Sequence, residues 1–184
     1  MNLFSAITLL TITTVTAHAR LGETREQAEA RYGLPKSEKP LSYVTPLLEG
    51  ARELEFHHQG FKIRCALLLA TDGKEYIVRE EYNRLEGNPI IKDFELDAIL
   101  EGERNGSKWT QKKVGSISTD ITKTVQSQFA LMLAGKTWIR PDGAVAALGL
   151  GGLPIRLELP QAAQHEARLE ALKDQHERAA VPKF

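Results

Sequence analysis

Three runs, at residues 54–58, 61–69 and 75–82, carry the clearest alternation of apolar and polar positions in the chain. Gln59-Gly60 separates the first two and a turn containing Asp72-Gly73 the last two, and both are short glycine-bearing connections that close antiparallel hairpins. The pattern predicts a three-stranded antiparallel meander. With two-residue loops, Phe61, Ile63, Cys65, Leu67 and Leu69 share one face. Leu54, Phe56 and His58 then oppose Cys65, Ile63 and Phe61, and Tyr76 and Val78 oppose Leu69 and Leu67. That face is the expected core, and the same register sets Glu80 on it, opposite Cys65.

Helical signals flank the meander. Thr24 as N-cap with Gln27 three residues on makes a capping box, Glu23 and Glu26 suit the positive end of the helix dipole, and Gly33 and Pro35 end the segment: a two-turn helix. Residues 36–51 hold Pro40, Pro46 and several Lys and Ser, which read as a loop with one helical turn near Leu47. After Asn88-Pro89, Asp93 is the expected cap of a second helix whose Leu96, Ile99 and Leu100 recur at helical spacing until Asn105-Gly106. Residues 107–127 are polar and assign to no element, and 129–133 fit strand or helix. Residues 137–139 and 144–148 flank the turn Arg140-Pro141-Asp142-Gly143, and 153–159 alternate again, so a second small sheet or an extension of the first is expected. Pro160 opens a helix over 161–180 with a narrow stripe of Leu169 and Leu172 and an Asp174/Arg178 pair, a surface element suited to self-association.

The first nineteen residues change the picture from fold to place. An uncharged apolar run, residues 3–15, leads into Ala17-His18-Ala19, the small-x-small pattern a signal peptidase reads, so cleavage is expected between Ala19 and Arg20. The run is shorter than the roughly 20 residues of a membrane span and diluted by threonine, and no lipid-accepting cysteine comes after it. The expected product is periplasmic or secreted, without membrane insertion after cleavage. It divides into a helix-plus-sheet module over 20–104, a β extension of the same domain over 105–160, and a terminal helix and tail over 161–184. Twenty-four basic and 24 acidic residues balance, which argues against nucleic acid as a partner. Cys65 is the only cysteine, so an intramolecular disulfide is excluded.

No constellation of reactive residues converges by sequence logic. Cys65 with His57 or His58 would suggest a cysteine hydrolase, but His58 lies four residues along the paired strand from the residue opposite Cys65, roughly 13 Å away at about 3.3 Å per residue. Cys65 therefore reads as core. His57 and His58 point to opposite faces, and His165 and His176 are roughly 16 Å apart along one helix, so no metal site or cofactor is expected. Residues 149–154, Gly-Leu-Gly-Gly-Leu-Pro, lead into a strand and not a helix, which makes them a turn and not a phosphate loop. Glu80 on the apolar face reads as an edge or bulge position, a paired group, or a site. Trp109 and Trp138 read as core or interface anchors.

The opening helix resembles that of the SmpA/BamE family of small bacterial envelope proteins at Gly22, Thr24, Gln27, Gly33 and Pro35, over residues 21–82. The resemblance implies helices packed on a three-stranded sheet and a role in binding another envelope protein, as it does for the related β-lactamase-inhibitor-protein-like modules. It departs from the family in lacking the lipid-bearing cysteine and in having Ala28 where valine is expected. The resulting expectation is an exported α+β protein with a helix on an antiparallel meander, acting as a non-catalytic binding module. The alternative is an envelope hydrolase using Glu80 and Glu81 with a histidine.

Overall fold

A computed structural model describes residues 20–40, 50–112, 134–162, 164–165 and 175. The fold is predominantly β. One eight-stranded antiparallel sheet runs β1 (Ser37–Pro40), β2 (Arg52–His58), β3 (Phe61–Leu69), β4 (Glu75–Arg84), β8 (Ile155–Glu158), β7 (Val145–Gly149), β6 (Ala134–Ile139) and β5 (Thr110–Lys112) in spatial order. Helices α1 (Arg25–Tyr32) and α2 (Asp93–Gly102) and a 3-10 turn (Leu150–Gly152) are short. This overturns the expected α+β class, a helix on a three-stranded meander: the meander is one part of a sheet that the second half of the chain completes, through pairing of β4 with β8.

The order of strands reads alike from both edges. Each half of the chain is a helix followed by four strands, and the two meanders meet at the β4–β8 seam. The sheet's inner face carries the main core. Phe56, Ile63, Cys65, Leu67, Ile77, Ala146, Ile155 and Leu157 from the strands form one buried cluster with Ala28 of α1 and Leu96, Ile99 and Leu100 of α2. Full burial of one aliphatic side chain of this kind contributes about 1.5–3 kcal/mol. The outer face is ionic. There Arg79 bonds Glu158 at 2.8 Å, Arg64 and Arg156 flank Glu81, and Ala51, Ala66, Val78 and Ala162 make a second, smaller cluster.

Local sequence explains the elements. Gln59 and Gly60 take φ of 48° and 81°, the paired positive values of the tight hairpin turn, and they lock Leu54, Phe56 and His58 opposite Cys65, Ile63 and Phe61 as the alternation requires. The β3–β4 register differs from the expectation. A bulge leaves Val78 unpaired between Arg79, which faces Ala66, and Ile77, which faces Leu67; Tyr76 therefore pairs with Leu68, and it is Ile77 that enters the core. Thr24 and Gln27 form the reciprocal capping box, with Thr24 N–H donating to Gln27 Oε1 at 2.8 Å, and Gly33 ends α1 at φ 83°. At α2 the cap is Lys92, not Asp93: Glu95 reaches back to accept the Lys92 N–H at 2.9 Å. Residues 37–40, expected as loop, form the edge strand β1. The expected helical turn near Leu47, the run 129–133, most of 107–127, nearly all of the helix expected over 161–180, with His176, and the expected signal sequence over 1–19 lie outside the described residues.

Candidate functional site

Period-two alternation along β4 turns Glu80 and Tyr82 toward the helices, and on α2 the stripe Leu96, Ile99, Leu100 continues at the same spacing to Glu103, just past the helix end. Two carboxyl groups from different halves of the chain are thereby brought together with no solvent exposure at either. They hydrogen-bond to one another. The Tyr82 hydroxyl lies 3.4 Å from Glu80 Oε2 and 3.3 Å from Glu103 Oε1, and the Tyr32 hydroxyl of α1 lies 3.2 Å from that of Tyr82. Each phenol has one proton and an oxygen that can accept, so the two hydroxyls link the groove side to the acid pair with either as donor. Cys65 Sγ donates to Glu80 Oε1 at 3.7 Å, and the Leu21 N–H donates to Glu103 Oε2 at 3.0 Å.

Such a pair keeps a proton. Burial pushes the Glu80 carboxyl up to about 7, against the pull of hydrogen bonds from Glu103 and Cys65. Glu103 is raised well above the usual carboxylate range, by burial first and then by the charge of Glu80. Burial, reinforced by Glu80, also holds the Cys65 thiol and the Tyr82 phenol in their neutral forms. The Glu103 carbonyl accepts a hydrogen bond from Arg140, whose nearly inaccessible guanidinium also grips Asp142 at 2.9 and 2.7 Å and lies 5.1 Å from the Trp109 ring centre. The acid pair thus ties the segment before α1, the central strand β4, the end of α2 and the β6–β7 turn.

Above this buried centre a groove of about 270 Å³ opens between the helices. Tyr32, Phe61 and Ile63 line it together with Tyr82, His58 and Phe94. The two phenols join groove to acid pair. Phe94 is 67 % exposed at the rim, and Ile90, Leu150 and Leu153 are exposed around the neighbouring β7–β8 turn. A concave, aromatic surface with a few fixed polar groups is the form of a binding site.

The other candidate residues are dispersed. Glu81 faces the outer side, bound to Arg64 and Arg156, so Glu80 and Glu81 do not converge on one site. Glu80 is neither at an edge nor in the bulge, which lies two residues away; it occupies the middle of the sheet. Cys65 is buried opposite Leu54. His57 pairs with Glu55 at 2.9 Å on the outer face, whereas the His58 ring packs 5.2 Å from that of Tyr32. Residues 149–154 connect β7 to β8 as expected of a turn, and only glycine fits at 149, where a Cβ would lie 1.7 Å from the Leu153 carbonyl oxygen. Trp138 is buried in the core cluster and Trp109 packs against it. Among the described residues no three His, Cys, Asp or Glu side chains are grouped to hold a metal ion, and no helix is long and apolar enough to cross a membrane.

Sequence reasoning found Glu80 and missed Glu103, Tyr82, Tyr32 and Arg140. Glu103 had a signal: it stands seven residues after Leu96 and four after Ile99, on the apolar stripe of its helix. Arg140 had none, because the turn chemistry of Arg140-Pro141-Asp142-Gly143 accounts for it as a surface residue. Neither a family model, nor a curated protein, nor a solved structure matches the chain.

Proposed function

We propose that this chain is an exported, non-catalytic binding module of the bacterial envelope, and that the groove between α1 and α2 receives an apolar or aromatic side chain of a partner protein. The observation that carries this reading is the division of labour at the site. The proton-bearing groups are sealed at zero exposure, out of reach of a substrate, while the surface above them is aromatic, with Phe94 exposed at its rim. Exposed aromatics at a pocket mouth are the residues that most often anchor protein interfaces. The resemblance of residues 21–82 to envelope binding proteins points the same way.

Export is supported by residues 1–19 and by the contacts of Arg20 and Leu21. A cut after Ala19 frees the Arg20 α-ammonium, whose nitrogen lies 3.3 Å from Glu23 Oε2, and leaves Leu21 seated on Glu103. Mass spectrometry of the exported protein should find Arg20 at its N-terminus; an intact Met1 would refute export with cleavage.

Binding is tested by affinity capture from envelope extracts, with the wild-type chain and the Phe94→Glu variant as paired baits. Proteins retained by the wild type and lost by the variant are expected. Equal retention by both, or none by either, rejects the groove as the binding surface. Because Phe94 is mostly exposed, its replacement leaves the core intact.

A further inference from the structure

Exposed apolar side chains are gathered at one end of the molecule. Among the described residues seven large ones stand in solvent, and six of them, Leu34, Leu85, Ile90, Phe94, Leu150 and Leu153, lie where β2, β4 and β7 finish and β3, β6 and β8 begin. The pairs His58–Phe61, Phe61–Arg84, Tyr82–Ile155 and Ala134–Gly149 fix that end of the sheet. The seventh, Leu69, is at the opposite end, beside the polar turn that holds Asp72 and Lys74.

The β7–β8 connection is built to keep its leucines outward. From Gly143 to Ile155, thirteen consecutive residues carry no polar side chain. Leu148 and Ile155 are buried, whereas Leu150 between them is 61 % exposed and Leu153 is exposed too. The backbone is pinned in that form: Gly149 N–H donates to the Pro154 carbonyl and Ile91 N–H to the Gly152 carbonyl, each at 3.0 Å. Gly152 takes φ of 82°, and a Cβ there would lie 2.8 Å from Ile90 Cγ2, so this loop and the segment before α2 fit closely only with glycine between them.

The surroundings name the partner. A protein interface carries about one hydrogen bond per 100–200 Å². Leu150, Leu153 and Ile90 have no polar atom to offer, and the Gly149 N–H and Gly152 carbonyl are already used. A bilayer interior requires that arrangement, apolar side chains on a backbone bonded internally. Aromatic rings and lysines belong beside it, at the headgroups. Phe94 stands there with Lys92 Nζ 5.8 Å from its ring centre, and Lys136 neutralises Asp93 at 3.2 Å. Arg84 with Glu95 and His57 with Glu55 are also paired, which leaves Lys36 and Lys92 against Glu86 among the described charges of this end. The excess is cationic, as lipid phosphates favour.

We propose that this end docks on a lipid bilayer, with Leu150, Leu153 and Ile90 among the acyl chains and Lys92 and Lys136 at the phosphates. The chain then lies on the surface without spanning it. The α1–α2 groove opens at the same end and would be held at membrane level, but the docking does not rest on the groove's having a protein partner.

The test is flotation of the exported chain, its N-terminus checked by mass spectrometry, with vesicles of phosphatidylethanolamine and phosphatidylglycerol and with vesicles of phosphatidylcholine. Binding to both is expected, tighter to the anionic vesicles, with half of the chain bound at a lipid concentration on the order of 1 mM or less. Leu150→Gln, which removes apolar surface without adding charge, should weaken binding about tenfold, and Leu150→Glu more. Leu69→Glu, at the opposite end, should bind as the wild type does. Because Leu150 and Leu69 are mostly exposed, these variants should unfold at the wild-type temperature. The vesicles contain no protein, so this test and the affinity capture fail independently. The proposal is overturned if the wild type floats with neither vesicle, if both Leu150 variants bind as the wild type does, or if Leu69→Glu loses as much as they do. Lipid-free self-association abolished by Leu150→Gln, with no flotation, would assign the apolar end to a second copy of the chain instead.

Discussion

Helices α1 and α2 occupy equivalent places, each opening a half of the chain and each lying on the same sheet face, yet they are held by different forces. α1 buries one side chain, Ala28, and is fixed at its ends and flanks: by the Thr24–Gln27 box, by Arg25 to Glu29 and Glu38, each at 2.8 Å, and by Arg31 to Glu23 at 2.6 Å. α2 buries Leu96, Ile99 and Leu100 and has no basic residue in its last turn. Partly exposed ion pairs contribute about 0–1 kcal/mol each, whereas one buried aliphatic side chain contributes about 1.5–3 kcal/mol. The same architectural position can therefore be secured by address or by adhesion. α1 is directed to its place by specific polar contacts, and α2 is held there by apolar contact. The acid pair joins the two solutions, since Glu80 belongs to the first half and Glu103 to the second.

The largest effect should come from removing adhesion. Leu96→Ala deletes a side chain 3 % exposed in the main core and should cost about 2–5 kcal/mol, read as a lowered midpoint in urea denaturation with the slope unchanged. A loss under about 1 kcal/mol would mean that α2 is not held by burial.

The seam comes next, and its sign is set by the direction of the shift. The folded-state carboxyl of Glu80 sits near 7 against an ordinary 4.5, so between those values the folded chain binds a proton that the unfolded chain has released. The stabilising contribution is fully present below pH 4.5 and is lost as pH rises through about 7, a decline on the order of 3 kcal/mol. Denaturation midpoints measured from pH 4.5 to 8 should therefore fall on going to alkaline pH. Glu80→Gln, which keeps the size and cannot ionise, should make that slope shallower, with Glu103, raised by its own burial, supplying the part that remains. An unchanged slope in the variant would locate the titrating group elsewhere.

How much of this was legible in the residues depends on whether a segment has one face in the core. The β2–β3 register was readable to the residue, because Gln59-Gly60 permits one turn geometry and Phe56, Ile63 and Cys65 need the same side. One turn further on, Ile77 and Val78 are both apolar, so alternation alone could not say which of them the bulge expels. β1 and β5 left no signal at all: Ser37–Pro40 and Thr110–Lys112 are exposed throughout, and strands that bury no side chain need no apolar period. That silence at both edges, with the brevity of β7 and β8, is why an eight-stranded sheet looked like a three-stranded one. The site was half legible for a related reason. A polar residue on an apolar stripe marks a buried group, as at Glu80 and Glu103, but which two such groups meet is decided by the β4–α2 crossing, which is not a local property.

The smallest effect tests address itself. Arg25 lies at the centre of a small lattice in which its guanidinium meets Glu29 on its own helix, Glu38 on β1 and, at 4.0 Å, Glu75 at the start of β4; Arg52 reaches the same Glu38 and Glu75 from β2. Arg25→Met keeps the apolar stem and removes only the charge. Since Arg52 remains to neutralise Glu38 and Glu75, the loss should be about 1 kcal/mol or less at low salt. It should also shrink as salt is raised, because the screening length falls from about 30 Å at 0.01 M to about 3 Å at 1 M. The Leu96→Ala loss should not shrink, since apolar burial is not screened. Denaturation of both variants at the two salt concentrations separates the mechanisms. If the Arg25→Met loss were as large as that of Leu96→Ala and indifferent to salt, α1 would be held by packing after all, and the contrast between the two helices would collapse into a single rule.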